Sequence, residues 1–223
     1  MTTKCYFGKK RKIKNMFILL IISLFISSCS TAKEDLSNVL FPVKKEKIVN
    51  LTDYTEKKSI LDEKLTAYQV KDMNTFSLYG QTFANKIGSN SATYAGKNYL
   101  ELLGDAEDIN GYKIHLYTQK ESEKLEKLLL DKLGKPAFDK GNETERNIIW
   151  ETSGKLYILN SGNAEIQGEK TKESDLLCLN TNFTTLIINA TQATKYSEYL
   201  KFRIKNNKKV ENYPYSVYSK EQN

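Results

Sequence analysis

Apolar residues along this chain change period several times. Over 119–133 they fall at helical spacing, with Leu125, Leu128, Leu129 and Leu133 on one stripe. Thr118 and Glu121 stand ahead of it at the spacing of a capping box, and Gly134 and Pro136 stop it. This predicts an amphipathic helix lying on an apolar surface. Residues 109–117 (INGYKIHLY) instead alternate, placing Tyr112, Ile114 and Leu116 on one face and Lys113, His115 and Tyr117 on the other. Residues 146–151 and 156–160 flank Thr152-Ser153-Gly154-Lys155 and predict a hairpin. Further strands are expected at 65–70, 75–79, 175–181 and 184–189. A short helix is expected at 92–103, ending at Gly104. Residues 192–205 suit a helix through Ala193, Tyr196, Leu200 and Ile204, or a strand through Leu200, Phe202 and Ile204; the helix is favoured. The sum is an α+β domain, a mainly antiparallel sheet with amphipathic helices packed on one face.

The N-terminal pattern is of another kind. Lys4, Lys9, Lys10, Arg11, Lys12 and Lys14 precede an apolar run, Met16 to Ile26, with no acid among residues 1–28. A basic region, a short apolar region and small residues before a cut site make a secretory signal peptide. With Ser27 and Ser28 the run is 13 residues, and a membrane span needs about 20. The residues Ile26-Ser27-Ser28-Cys29 resemble the lipobox of bacterial lipoproteins, with Ile where Leu is commoner. The resemblance implies a diacylglycerol thioether on Cys29 and cleavage between Ser28 and Cys29. It also implies a partner, the lipid bilayer reached through the acylated cysteine. Ser30 stands where an Asp would favour retention at the inner membrane, which leans to the outer membrane in a cell that has one.

Cleavage changes the charge. The whole chain carries 34 basic and 27 acidic residues, a net +7. The lost segment holds six of those charges, so the mature side chains sum to about +1. A nucleic-acid partner loses its main support. Cys5 leaves with the signal and Cys29 takes lipid, so Cys178 is the one thiol left and no intramolecular disulfide can form. Cys178 sits in Leu176-Leu177-Cys178-Leu179 and is read as a small buried strand residue rather than a nucleophile.

The chain is accordingly divided into 1–28, signal peptide; 29–46, lipidated Cys and polar tether; 47–210, globular domain; and 211–223, C-terminal tail. Lys86-Ile87-Gly88-Ser89-Asn90-Ser91 and the expected helix ending at Leu103-Gly104 are faintly similar to small lipoproteins of the barrel-assembly machinery. That similarity spans about 20 residues, has Asp105 in place of their Pro, and transfers no residue roles.

Candidate chemistry is sparse. His115 is the single histidine, on the polar face of its strand, where a half-exposed side chain is the plain expectation and a general base the sharper one. One histidine, and no C-x-x-C or calcium-loop pattern, give no metal site; no cofactor is expected either. Asp105, Glu107 and Asp108 read as a solvated loop. Tyr213 and Tyr215 would share one side of an extended strand, either as an aromatic stripe for a sugar or an envelope protein partner or, equally, as edge-strand packing or a poorly ordered tail. The functional expectation is a membrane-anchored lipoprotein acting as a binding or assembly module at the periplasm or cell surface. The alternative is a lipid-tethered hydrolase using a carboxylate pair, and the enzyme reading is the weaker one.

Overall fold

A computed structural model describes residues 34–62, 64–84, 98–142, 144–152, 154–166, 168–181 and 194–222. The chain divides after Glu34, and the second unit holds the fold described below. The lipobox with Ser28 and Cys29, the expected strand at 184–189 and residues 92–97 of an expected helix lie outside the described residues.

Nine strands build one sheet among the described residues. They are β1 (Val43–Lys44), β2 (Tyr54–Lys58), β3 (Thr66–Val70), β4 (Tyr99–Gly104), β5 (Asp108–Leu116), β6 (Phe138–Gly141), β7 (Glu145–Thr152), β8 (Lys155–Ile166) and β9 (Glu169–Asn180). Their order is β2-β3-β4-β5-β9-β8-β7-β6, with β1 paired to β5. Every pairing is antiparallel. The meander β6 to β9 returns to the sheet centre, where β9 pairs with β5. Among the described residues the α-helices are α1 (Lys45–Val49), α2 (Gln119–Leu133), α3 (Thr194–Lys205) and α4 (Tyr215–Glu221).

Helix α2 carries the chain from the central strand β5 to the far edge strand β6. The Thr118 side chain accepts from the Glu121 N–H, and Gly134 closes the helix at φ 71°. Only half of the capping box forms. The Glu121 carboxylate turns away to accept from the Ala84 N–H at 3.4 Å.

Strand alternation divides the core in two. On β9, Leu176 and Cys178 join a cluster with Tyr112, Trp150, Leu159 and the α2 residues Leu125 and Leu129. The intervening Leu177 and Leu179 join Leu103, Ile158 and the α3 residues Tyr196, Tyr199 and Leu200. Helices therefore cover both faces of the sheet, which corrects the expectation of one. The apolar positions on β7, β8 and β9 run consecutively because both sides are buried, as in Ile148-Ile149-Trp150. Each fully buried large apolar side chain stabilises by about 1.5–3 kcal/mol relative to exposure.

Three further expectations change. Residues 99–104, read as the end of a helix, are strand β4, hydrogen-bonded on both sides by β3 and β5. The helix on which the faint barrel-assembly similarity rested is thus absent over those residues. The polar tether extends less far than residue 46. Leu36 and Val39 are buried, the Leu36 N–H donates to the Ser77 carbonyl at 2.9 Å, and Val43 pairs with Ile109. Burial of these apolar side chains ties residues 36–46 into the folded unit. The segment read as a C-terminal tail is packed rather than loose, with Tyr213 buried and 215–221 helical.

Candidate functional site

Strand register places one row of side chains across the middle of the sheet, on the face that α3 covers elsewhere. Tyr99 on β4 lies opposite His115 on β5, and His115 lies opposite Asp175 on β9. The row continues through Asn160 and Asn147 on β8 and β7. Strand period sets the face each residue takes, since residues i and i+2 share a face, and register aligns them across the strands. The apolar stripe Leu177-Leu179 on β9 thus gives way on the same face to Asp175 and Glu173.

His115 is 6% exposed, so it is buried rather than half-exposed. Its Nδ1 lies 2.6 Å from Asp175 Oδ1, and its ring is stacked on Tyr99 at 5.0 Å between centroids. The Tyr117 ring stands 4.0 Å away on the same strand, tilted by 57°. Lys113 Nζ reaches Asp175 Oδ1 at 2.9 Å. One strand further, the buried Glu101 is paired with Lys57 Nζ at 2.5 Å.

The electrostatics follow from this packing. Burial tends to raise the Asp175 pKa, but the hydrogen bond from His115, together with the Lys113 ammonium, outweighs it and holds the carboxyl below its usual value. Burial and the carboxylates of Glu101 and Asp175 push the Tyr99 phenol up; burial and Glu173 do the same for Tyr117. Both phenols keep their protons at neutral pH.

An ionised Asp175 accepts from Nδ1–H and so fixes the imidazole with its lone pair on Nε2. That Nε2 is buried and has no hydrogen-bond partner among the described residues. The Glu173 carboxylate is 3.9 Å from it, outside hydrogen-bond reach. The arrangement orients the ring and leaves Nε2 as an unused ring nitrogen among the described residues. It presents no nucleophile: no hydroxyl or thiol is hydrogen-bonded to Nε2 among the described residues. No group of three or more metal-ligating side chains occurs among the described residues either.

The other sequence candidates lie away from this row. Cys178 is fully buried between strands, and burial pushes its thiol up to about 12. Tyr213 and Tyr215 form no strand. Tyr213 is buried, its carbonyl accepting from the Tyr199 hydroxyl at 2.8 Å, and Tyr215 opens α4. Both rings belong to an aromatic cluster with Tyr199, Phe202 and Tyr218 that joins α3 to α4. The acidic loop closes on itself, because Asp105 Oδ1 accepts from the N–H groups of Glu107 and Asp108, both at 2.9 Å. Sequence reasoning misses Asp175 and Glu173. Their alternation with Leu177 and Leu179 places them on one face of a strand, but nothing local aligns that strand with His115.

Comparison of the chain with protein-family models, with curated proteins and with solved structures finds no match.

Proposed function

We propose that this chain is a bacterial lipoprotein, anchored to a membrane of the cell envelope through lipid on Cys29, whose folded unit is a binding or assembly module facing the periplasm or cell surface. The observation that carries the reading is the position of Cys29, directly after a short apolar run with a purely basic flank. No helix among the described residues is long and apolar enough to cross a membrane. Two or more acyl chains on one N-terminus hold a protein stably at a bilayer, at about 0.8 kcal/mol per buried methylene. Ser30 favours the outer membrane where there is one. Fractionation of cells expressing Cys29→Ser tests the anchor. The variant is expected to leave the membrane fraction; retention equal to the parent would overturn the reading.

A second reading is favoured by one observation, the oriented His115 with an unpartnered Nε2. In a lipid-tethered hydrolase, His115 would take a proton from water, with Asp175 holding the ring and stabilising its charge. An activity found in the parent and lost at least a hundredfold in His115→Ala, with the fold intact, would select this reading over the binding module.

A further inference from the structure

A groove of about 650 Å³ opens on the α2 face, where the long β8–β9 hairpin leaves the cover of the helix. Its volume is that of ordinary small-molecule sites. Polar residue types line it and, among the described residues, it carries no aromatic ring. Ser161 and Asn163 line it from β8, Lys170 and Lys172 from β9, Arg146 from β7 and Gln119 from the start of α2. We propose that this groove binds a hydroxyl-rich ligand bearing an oxyanion, the chemistry shared by sugar phosphates and sugar acids.

Two independent observations carry this. The first is Ser161. The residue is 5% exposed, lines the groove, and its Oγ has no hydrogen-bond partner among the described residues. A buried hydroxyl left without a partner is costly, and a ligand hydroxyl in the groove would satisfy it once the Ser161 side chain turns outward.

The second is the arrangement of charge. Among the described residues, three cationic side chains line the groove against one carboxylate, Glu123. Glu126 and Asp139 stand behind the wall. Glu126 pairs with Lys172 at 3.0 Å and also with Arg146, while Asp139 chelates Arg146 through Nε at 2.9 Å and Nη2 at 2.7 Å. These two carboxylates, on α2 and β6, fix two cationic heads, on β7 and β9, so that part of the wall is set before any ligand arrives. Lys170 stands exposed at the rim. The first turns of the 15-residue helix α2 reach the same groove through Gln119 and Glu123, with the Gln119 N–H donating to Thr171 Oγ1 at 3.3 Å. Lys170, the cation of the wall that no carboxylate neutralises among the described residues, draws an oxyanion, while Ser161, Asn163 and Gln119 are donors and acceptors for hydroxyls. The inference does not depend on the lipid anchor.

Calorimetric titration of the full chain in detergent tests it, with glucose 1-phosphate, glucuronic acid, glucose and inorganic phosphate as probes. At least one anionic sugar is expected to bind ten times or more tighter than glucose and than inorganic phosphate, weakening as salt is raised. Which of the two binds better separates a phosphate from a carboxylate source. Ser161→Ala and Lys170→Ala are each expected to weaken that binding fivefold or more. Ser161→Ala should leave the melting temperature unchanged or raised, and the exposed Lys170 can change without loss of fold. Anionic sugars binding no better than glucose, inorganic phosphate matching the sugar phosphate, or unchanged affinity in both variants would overturn the proposal.

Discussion

His115 and Asp175 meet across β5 and β9 from 60 residues apart, with Nδ1 to Oδ1 at 2.6 Å. This contact joins the two halves of the sheet at its central pairing and orients the one histidine of the chain. Replacing Asp175 with Asn removes the charge from a hydrogen bond shared with His115 and from the Lys113 ion pair. The expected loss is about 1.5–3 kcal/mol at pH 7. The folded carboxyl titrates below the ordinary aspartate value of 3.8, so its contribution is fully present above that value and is lost as pH falls through the lower folded one. Urea unfolding at pH 7 and at stepwise lower pH checks this: the gap between parent and Asp175→Asn should narrow below about pH 4. A gap that stays constant or widens would contradict it.

Glu151 and Arg203 pin α3 to the sheet. The Glu151 side chain is 3% exposed and Arg203 Nη1 reaches it at 2.7 Å, with the Tyr199 hydroxyl at 2.8 Å from the same nitrogen. Arg203→Ala leaves a buried carboxylate without its partner and is expected to cost about 3–5 kcal/mol. The double variant Glu151→Leu, Arg203→Met should recover most of that loss in denaturant melts. A single variant within about 0.5 kcal/mol of the parent, the ordinary range for a surface change, would show the pair to be solvated instead.

Cys178 offers a chemical check on the core. Its thiol is buried and shifted up to about 12, so almost none is thiolate at pH 8. Mass spectrometry after iodoacetamide treatment should find the Cys178 peptide unmodified in native protein and alkylated after denaturation. Rapid native alkylation would mean that β9 opens.

The central pairing also depends on a close approach. A Cβ on Gly111 would lie 2.3 Å from the Cys178 carbonyl oxygen, with the Leu179 backbone close behind. Both obstacles include main chain, so the strands must part. Gly111→Ala is expected to destabilise by at least the usual overpacking cost, about 1–3 kcal/mol, with a lowered melting temperature. An unchanged melt would rule out so tight a β5–β9 contact.

The elements legible in the sequence are those whose signals are local. Thr118, the Leu125-Leu129 stripe and Gly134 mark α2 within one window, and the hairpin β7–β8 carries its own turn. Strand β4 shows where local reading fails. Tyr99-Leu100-Glu101-Leu102-Leu103 followed by Gly104 resembles a helix end, yet β3 and β5 flank it and Lys57 neutralises the buried Glu101. Those partners are distant in the chain, and long-range pairing overrides propensity. The same limit hides the site. His115 is visible as a residue, but its value rests on Asp175 and on rings brought in by register. The stripe expected of Tyr213 and Tyr215 fails for a related reason: aromatic side chains near a terminus also serve to dock it, and here they seat α3 and α4.

Whether Cys29 becomes the lipidated N-terminus is read most directly by mass spectrometry of the N-terminal peptide from native membranes. A lipoprotein should yield a mature chain that begins at Cys29 and carries diacylglycerol on its sulfur. A mature chain beginning elsewhere, or a Cys29 with no lipid, would contradict the proposed anchor.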